Sequence, residues 1–122
     1  MSEGLLALDL TTPERDILVT GLVEWGGPVA MSDALAVAIG FDDAAEFRAR
    51  KRDLLDALQG AGELSLRDWR RTLAAAEVNF ASNVIGVGLE WTDFSLISDE
   101  ETFAAMRSVQ LKLALHPSRH QD

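Results

Sequence analysis

The stretch Leu66–Val87, LRDWRRTLAAAEVNFASNVIGV, decides the fold. At 100° per residue, Leu66, Trp69, Leu73, Ala76, Phe80, Val84 and Val87 fall on one stripe of a helix. Ala74, Val78 and Ile85 make a second stripe, with Arg70, Glu77 and Ala81 between the two. Asp68, Thr72, Asn79 and Asn83 are left as a narrow polar back. A surface helix needs only one apolar stripe, so the pattern predicts a central helix with neighbours on two sides. The run Ala74-Ala75-Ala76 would let one of them approach closely. Glu77, inside the apolar arc, requires a partner, because an unpaired carboxylate is strongly disfavoured there. Lys51, in the apolar stripe of the preceding helix, is the expected partner.

The flanking segments read as further helices. Ser65-x-x-Asp68 resembles a capping box and opens the central helix. Upstream, Thr12-Pro13-Glu14 gives a hydroxyl N-cap at Thr12, proline at the first helical position and an acid in the first turn. Ile17, Leu18, Leu22 and Trp25 line one face of that helix, and Gly26-Gly27-Pro28 ends it. Ser32 caps a short helix, Asp33–Ile39, closed by Gly40. Asp43-x-x-Glu46 opens Ala44–Gln59, with Phe47, Leu54, Leu55 and Leu58 as its buried stripe, and Gly60-Ala61-Gly62 breaks the chain again. Downstream, Ser98-Asp99-Glu100-Glu101 caps Asp99–Leu115, whose core side reads as Phe103, Met106, Val109 or Gln110, and Leu113. The expectation is an all-α fold: a compact bundle of four main helices plus one short helix around a buried central one. Residues 1–122 read as one domain. Residues 1–10 are expected to be loosely held, with Leu6, Leu8 and Leu10 tucking under the first helix, and 116–122 to be a flexible tail.

Composition narrows the function classes. The chain has no cysteine, which excludes disulfides, a thiolate nucleophile and cysteine-based zinc sites and fits a reducing cytoplasm. The first ten residues are neither a signal peptide nor a membrane span. A net charge of −9 argues against nucleic acid or an anionic membrane as general partners. The charge is uneven: residues 44–71 carry a net +2 and the remainder −11.

Much of the chain resembles an uncharacterised family of short, acidic, mostly helical proteins from high-GC bacteria. The resemblance rests on EWGGP (24–28), LAVAIGF (35–41), LSLRDW (64–69), FASNVIG (80–86) with Glu90-Trp91, and SDEET (98–102). It implies a shared helical fold and residence in the cytoplasm, and no activity, cofactor or catalytic residue.

Three constellations bear on function. Leu35-Ala36-x-x-x-Gly40-Phe41 has the spacing of a helix-turn-helix corner, followed by Arg48, Arg50, Lys51 and Arg52 as on a recognition helix. Against DNA reading stand the interleaved Glu46, Asp53 and Asp56, which pair these bases at helical spacing, and the polar Glu46 where the motif wants an apolar residue. The second is the loop 86–94, where Trp91 and Phe94 beside Glu90 and Asp93 form either an aromatic, acidic docking point or a plug over the open end of the bundle. Trp25 and Trp69 read as core. The third, His116 and His120 with Asp122, is interrupted by Pro117 and reads as a polar tail rather than a metal site. No serine stands in a nucleophile-elbow context, and Gly60-Ala61-Gly62 is too short and lacks the lysine of a phosphate loop.

The reading is therefore a non-enzymatic, cytoplasmic helical protein without cofactor or metal that binds another protein or a second copy of itself. By charge it is comparable to small acidic inhibitors and immunity-type proteins. The expected contacts are Glu90, Trp91, Asp93 and Phe94 with the acidic turn Asp99, Glu100 and Glu101. The alternative, DNA binding through residues 33–59, would use Arg48, Arg50 and Arg52.

Overall fold

In the computed structural model, residues 4–25, 30–60, 62–82, 88, 91 and 97–115 are described. Among them the order is β1 (Leu5–Ala7), α1 (Thr12–Val23), α2 (Asp33–Ala38), α3 (Ala44–Gln59), β2 (Glu63–Ser65), α4 (Leu66–Ala81) and α5 (Asp99–Ala114). The protein is thus mostly helical, but it is not purely so. β1 and β2 form an antiparallel pair in the register Leu5–Ser65, Leu6–Leu64 and Ala7–Glu63. The indole N–H of Trp69 donates to the Leu6 carbonyl at 2.9 Å, and Lys112 Nζ to the carbonyl of Asp9. Residues 5–9, expected to be loose, are therefore anchored to two distant parts of the chain.

Helix starts follow local chemistry. Ser32, Asp43, Ser65 and Ser98 each accept from the amide three residues on. Such caps are worth about 1 kcal/mol apiece. The first cap is Thr11 rather than Thr12: its hydroxyl accepts from Glu14 N while Glu14 accepts from the Thr11 amide, which moves Pro13 to the second helical position. At α3 only half of the expected reciprocal cap forms, because Glu46 takes the amide of Asp42 instead of Asp43. α4 stops at Ala81, with Ser82 extended, six residues short of the expected Val87. Ser82 suits the early stop, since a short polar side chain competes with helical hydrogen bonds. Residues 83–87 lie outside the described residues.

α4 occupies the centre and packs against α1, α5 and β2. Its predicted rotation about its axis is right for one stripe and wrong for the other. Leu66, Trp69, Leu73 and Ala76 are buried as expected, but so are Thr72 and Asn79, both fully, on the supposed polar back. Ala74 and Val78, the supposed second apolar stripe, are only half-buried, and Arg70 and Ala81 are exposed. The polar flank is covered because α1 comes very close there. A Cβ on Gly21 would stand 2.5 Å from Ala76 Cα, so only glycine admits this approach. At that crossing Asn79 Nδ2 donates to Gly21 O and Trp25 Nε1 to Ala75 O. Buried polar groups that find backbone partners carry little penalty.

The buried cation is Arg71, not Arg70. Its guanidinium donates to Gly40 O (2.8 Å) and Asp68 (3.1 Å) and lies 4.6 Å over the Phe41 ring, fastening the α2–α3 corner to α4. Gly40 has φ +105°, a left-handed conformation that suits glycine, and a Cβ there would crowd Arg71 Cγ at 3.2 Å.

The buried carboxylate is Glu14, not Glu77. It is 1% exposed and meets Lys112 Nζ at 2.5 Å, which joins the start of α1 to the end of α5. Burial alone would raise its pKa. The Lys112 ammonium, the Ser108 hydroxyl and the Thr11 amide outweigh burial, and the net value lies below the ordinary 4.5. Lys51 does not reach Glu77. It donates to the carbonyls of Val23 and Trp25 at the end of α1, where the helix dipole favours a cation. Burial lowers its pKa, partly offset by the charge of Glu24. No helix among the described residues is long and apolar enough to cross a membrane.

Candidate docking face

The outward flanks of α4 and α5 meet at a groove with apolar walls. α5 has its buried row at Thr102, Ala105, Met106, Val109 and Leu113. A second row at helical spacing, Phe103, Arg107, Leu111 and Leu115, points outward. Phe103 is 55% exposed, Leu111 54% and Leu115 76%, so Phe103 is not on the core side as its spacing suggested. On α4, Ala81 is exposed and Ala74 and Val78 are half-buried.

Between the two helices runs a groove of about 240 Å³. Phe80 and Ala81 form one wall, Phe103 and Met106 the other, and Glu77, Arg107 and Gln110 lie along it. Arg107 Nη1 donates to Gln110 Oε1 at 2.7 Å, and Gln110 Nε2 donates to Glu77 Oε2. The Arg107 guanidinium also stands 5.4 Å from the Phe103 ring centre. Glu77 is therefore half-buried and held by a neutral amide, with a cation one residue further on, and not by Lys51 as the sequence suggested.

Because Glu77 meets Gln110 while Phe80 and Ala81 share the groove with Phe103 and Met106, α4 and α5 run in opposite senses. The start of α4 and the start of α5 thus lie at opposite ends of the face. One end carries the exposed Arg67 and Arg70, the other the exposed Asp99, Glu100 and Glu101. Glu101 is engaged with Ser98 in the capping box.

The residues expected to dock a partner divide accordingly. Trp91 is fully buried, and the edge of Phe80 packs on it with ring centres 5.3 Å apart. It lies in the core behind Phe80 rather than on a docking surface, because an indole of that size offers more apolar burial inside than out. Glu90, Asp93 and Phe94 lie outside the described residues, as do His116, His120 and Asp122. Asp99 and Glu100 are exposed beside the groove. The sequence reading missed Phe80, Phe103, Met106, Arg107 and Gln110 as a unit. The available signal was the second i, i+4 row on α5, which exceeds what one buried stripe requires.

Two of the three arginines proposed for DNA meet carboxylates of the chain. Arg50 bridges Asp53 (3.0 Å) and Asp68 (2.7 Å), and Arg52 faces Asp56 at 3.8 Å. Arg48 is exposed beside a small cavity of about 90 Å³ with Trp25, Met31 and Phe47. No cluster of three or more His, Cys, Asp or Glu suited to a metal occurs among the described residues. Compared with known protein families, with characterised proteins and with solved structures, the chain matches none.

Proposed function

We propose that this chain is a non-enzymatic protein that works by binding another polypeptide across the α4–α5 face. One observation carries the reading: a groove walled by Phe80, Ala81, Phe103 and Met106 opens between α4 and α5, with Phe103 55% exposed at its edge, on a protein of net charge −9. Single exposed apolar side chains are ordinary, whereas a contiguous patch with a polar rim marks a contact surface. The rim is present here in Arg67 and Arg70 at one end and Asp99 and Glu100 at the other. The walls stand on two 16-residue helices, with the buried Trp91 behind Phe80. Such a footing limits the ordering cost of association. DNA reading is less favoured, because Arg50 is held by Asp53 and Asp68 and the charge of Arg52 is partly offset by Asp56.

The test is a photo-crosslinking residue at position 103, with the same residue at the exposed Leu5 as control, in cells producing the full chain. The expected result is a discrete polypeptide adduct from position 103 and none of comparable yield from position 5. Equal, diffuse labelling from both positions would remove the α4–α5 face as a binding surface.

A further inference from the structure

Resting on the binding of a polypeptide at the α4–α5 groove, we infer that the part of the partner seated there is its free amino terminus, with an apolar first residue. Three polar side chains lie along the groove in a set order. Arg107 donates to the Gln110 side-chain oxygen at 2.7 Å, and the Gln110 amide nitrogen donates to Glu77. A cation and a carboxylate thus stand one carboxamide apart. A group lying beside Gln110 must repeat its polarity, with an acceptor towards Arg107 and a donor towards Glu77. The bond to Gln110 uses a single arm of the guanidinium, whose fork holds further donors.

Glu77 has more to gain from a ligand than Arg107 has. It is half-buried, and among the described residues its carboxylate meets the neutral Gln110 amide and no ammonium or guanidinium. A partly desolvated carboxylate is better matched by a cation than by an amide. Arg107 is exposed to water. Asp99 and Glu100, four and three residues before Phe103, are exposed on the Phe103 side of α5, and the chain as a whole carries −9. That field draws a cation to the groove and repels an anion. The donor is therefore charged and the acceptor neutral. The first residue of a polypeptide offers both on neighbouring atoms, an α-ammonium for Glu77 and a carbonyl oxygen for Arg107. A carboxyl-terminal residue brings the opposite charge, and a lysine side chain brings an ammonium with no acceptor beside it.

The side chain of that residue branches from the α-carbon between the two groups, and the groove provides for it. Phe80 and Ala81 stand on one side, Phe103 and Met106 on the other. A volume of about 240 Å³ lies below the about 300–1,000 Å³ of pockets for drug-sized molecules, so it suits one large apolar side chain and its backbone. A site this small should bind with a dissociation constant of roughly tens to hundreds of micromolar.

Amide NMR titration of the full chain with short carboxyl-amidated peptides tests this. One peptide begins with leucine and a free amine, a second is the same peptide acetylated, a third begins with serine, and free leucine is the fourth probe. The first should bind and shift the amides of residues 77–81 and 103–110. Acetylation, or serine in first place, should weaken binding about tenfold or more. Glu77→Gln should weaken the free-amine peptide by about the same factor and leave the acetylated one within about twofold. Loss of folding would weaken both. Arg107→Met should weaken both peptides alike, because both keep the carbonyl. The inference is overturned if no peptide binds, if acetylation or Glu77→Gln makes no difference, if the shifts lie away from the groove, or if free leucine binds as tightly as the peptide. Crosslinking at position 103 separates the two failures. A discrete polypeptide adduct there, with peptides that ignore acetylation, sinks only the amino-terminal inference. No specific adduct and no peptide binding sinks both.

Discussion

The two flanks of α4 invert the usual expectation. The flank facing α1 and the α2–α3 corner buries Arg71, Thr72 and Asn79, while the opposite flank leaves Ala74, Val78 and Ala81 at or near the surface. Polarity alone does not decide which side of a helix is inside. The inner flank is covered because Gly21 and Ala76 let two backbones meet, and because backbone oxygens there accept from Asn79 and Arg71, although the buried Thr72 hydroxyl finds no partner among the described residues. The outer flank leaves Ala74 and Val78 half-buried and Ala81 exposed, and where it meets Phe103 and Met106 of α5 it opens into the groove.

Breaking the inner flank should produce the largest effect. Arg71→Ala removes a buried cation and leaves Asp68, Glu46 and the Gly40 carbonyl short of a partner, so unfolding free energy should fall by about 3–5 kcal/mol. Denaturant titration measures this directly, and a loss below about 1 kcal/mol would mean that the junction is not closed as described. Gly21→Ala should come next. The added methyl meets Ala76 at 2.5 Å and forces the helices apart, at a cost of about 1–3 kcal/mol.

Lys112→Met addresses the buried pair through its pH dependence. In the wild type the Glu14 pKa is depressed on folding, so its contribution is full above the unfolded value of about 4.5 and is lost as pH falls through the folded value. Without Lys112, burial is opposed only by the hydrogen bonds to Ser108 and Thr11, so the folded pKa rises relative to wild type. The variant should then be destabilised at neutral pH and recover part of the loss on acidification towards pH 5. Thermal melts at pH 7 and pH 5 that move in parallel for the two proteins would contradict this.

Two smaller effects sharpen the contrast. Phe103→Ser and Leu111→Ser on the outer flank should change stability by less than about 0.5 kcal/mol, as exposed substitutions do. In a double-mutant cycle, Lys51→Met and Glu77→Gln should be additive within about 0.5 kcal/mol, because Lys51 is bonded to α1 and Glu77 to Gln110.

The legible part of the fold was the part coded locally. Ser32, Asp43, Ser65 and Ser98 announced four helix starts because a cap involves residues only three apart, and α3 has the expected limits Ala44–Gln59. The illegible parts depend on partners far along the chain. Three-residue strands at 5–7 and 63–65 are too short to show an alternating pattern, and their pairing spans more than fifty residues. The partners of Glu77 and Lys51 could not be separated by spacing, because both lie within apolar stripes and the rotation of each helix is set by packing. The candidate face was half visible: Asp99 and Glu100 from charge, but not Phe103, whose spacing fits the buried row as well as the exposed one.

The antiparallel strand pair has a consequence for how the chain closes. β1 can pair only after the segment that supplies β2 and Trp69 has been made and ordered, and Lys112 reaches Asp9 only after α5 has docked. The first turn-by-turn structure should therefore arise in α3 and α4, with the leading residues threaded into place as a late seam. In native-state hydrogen exchange that seam should open well before the helices it joins, making the amides of residues 5–7 the earliest to fade.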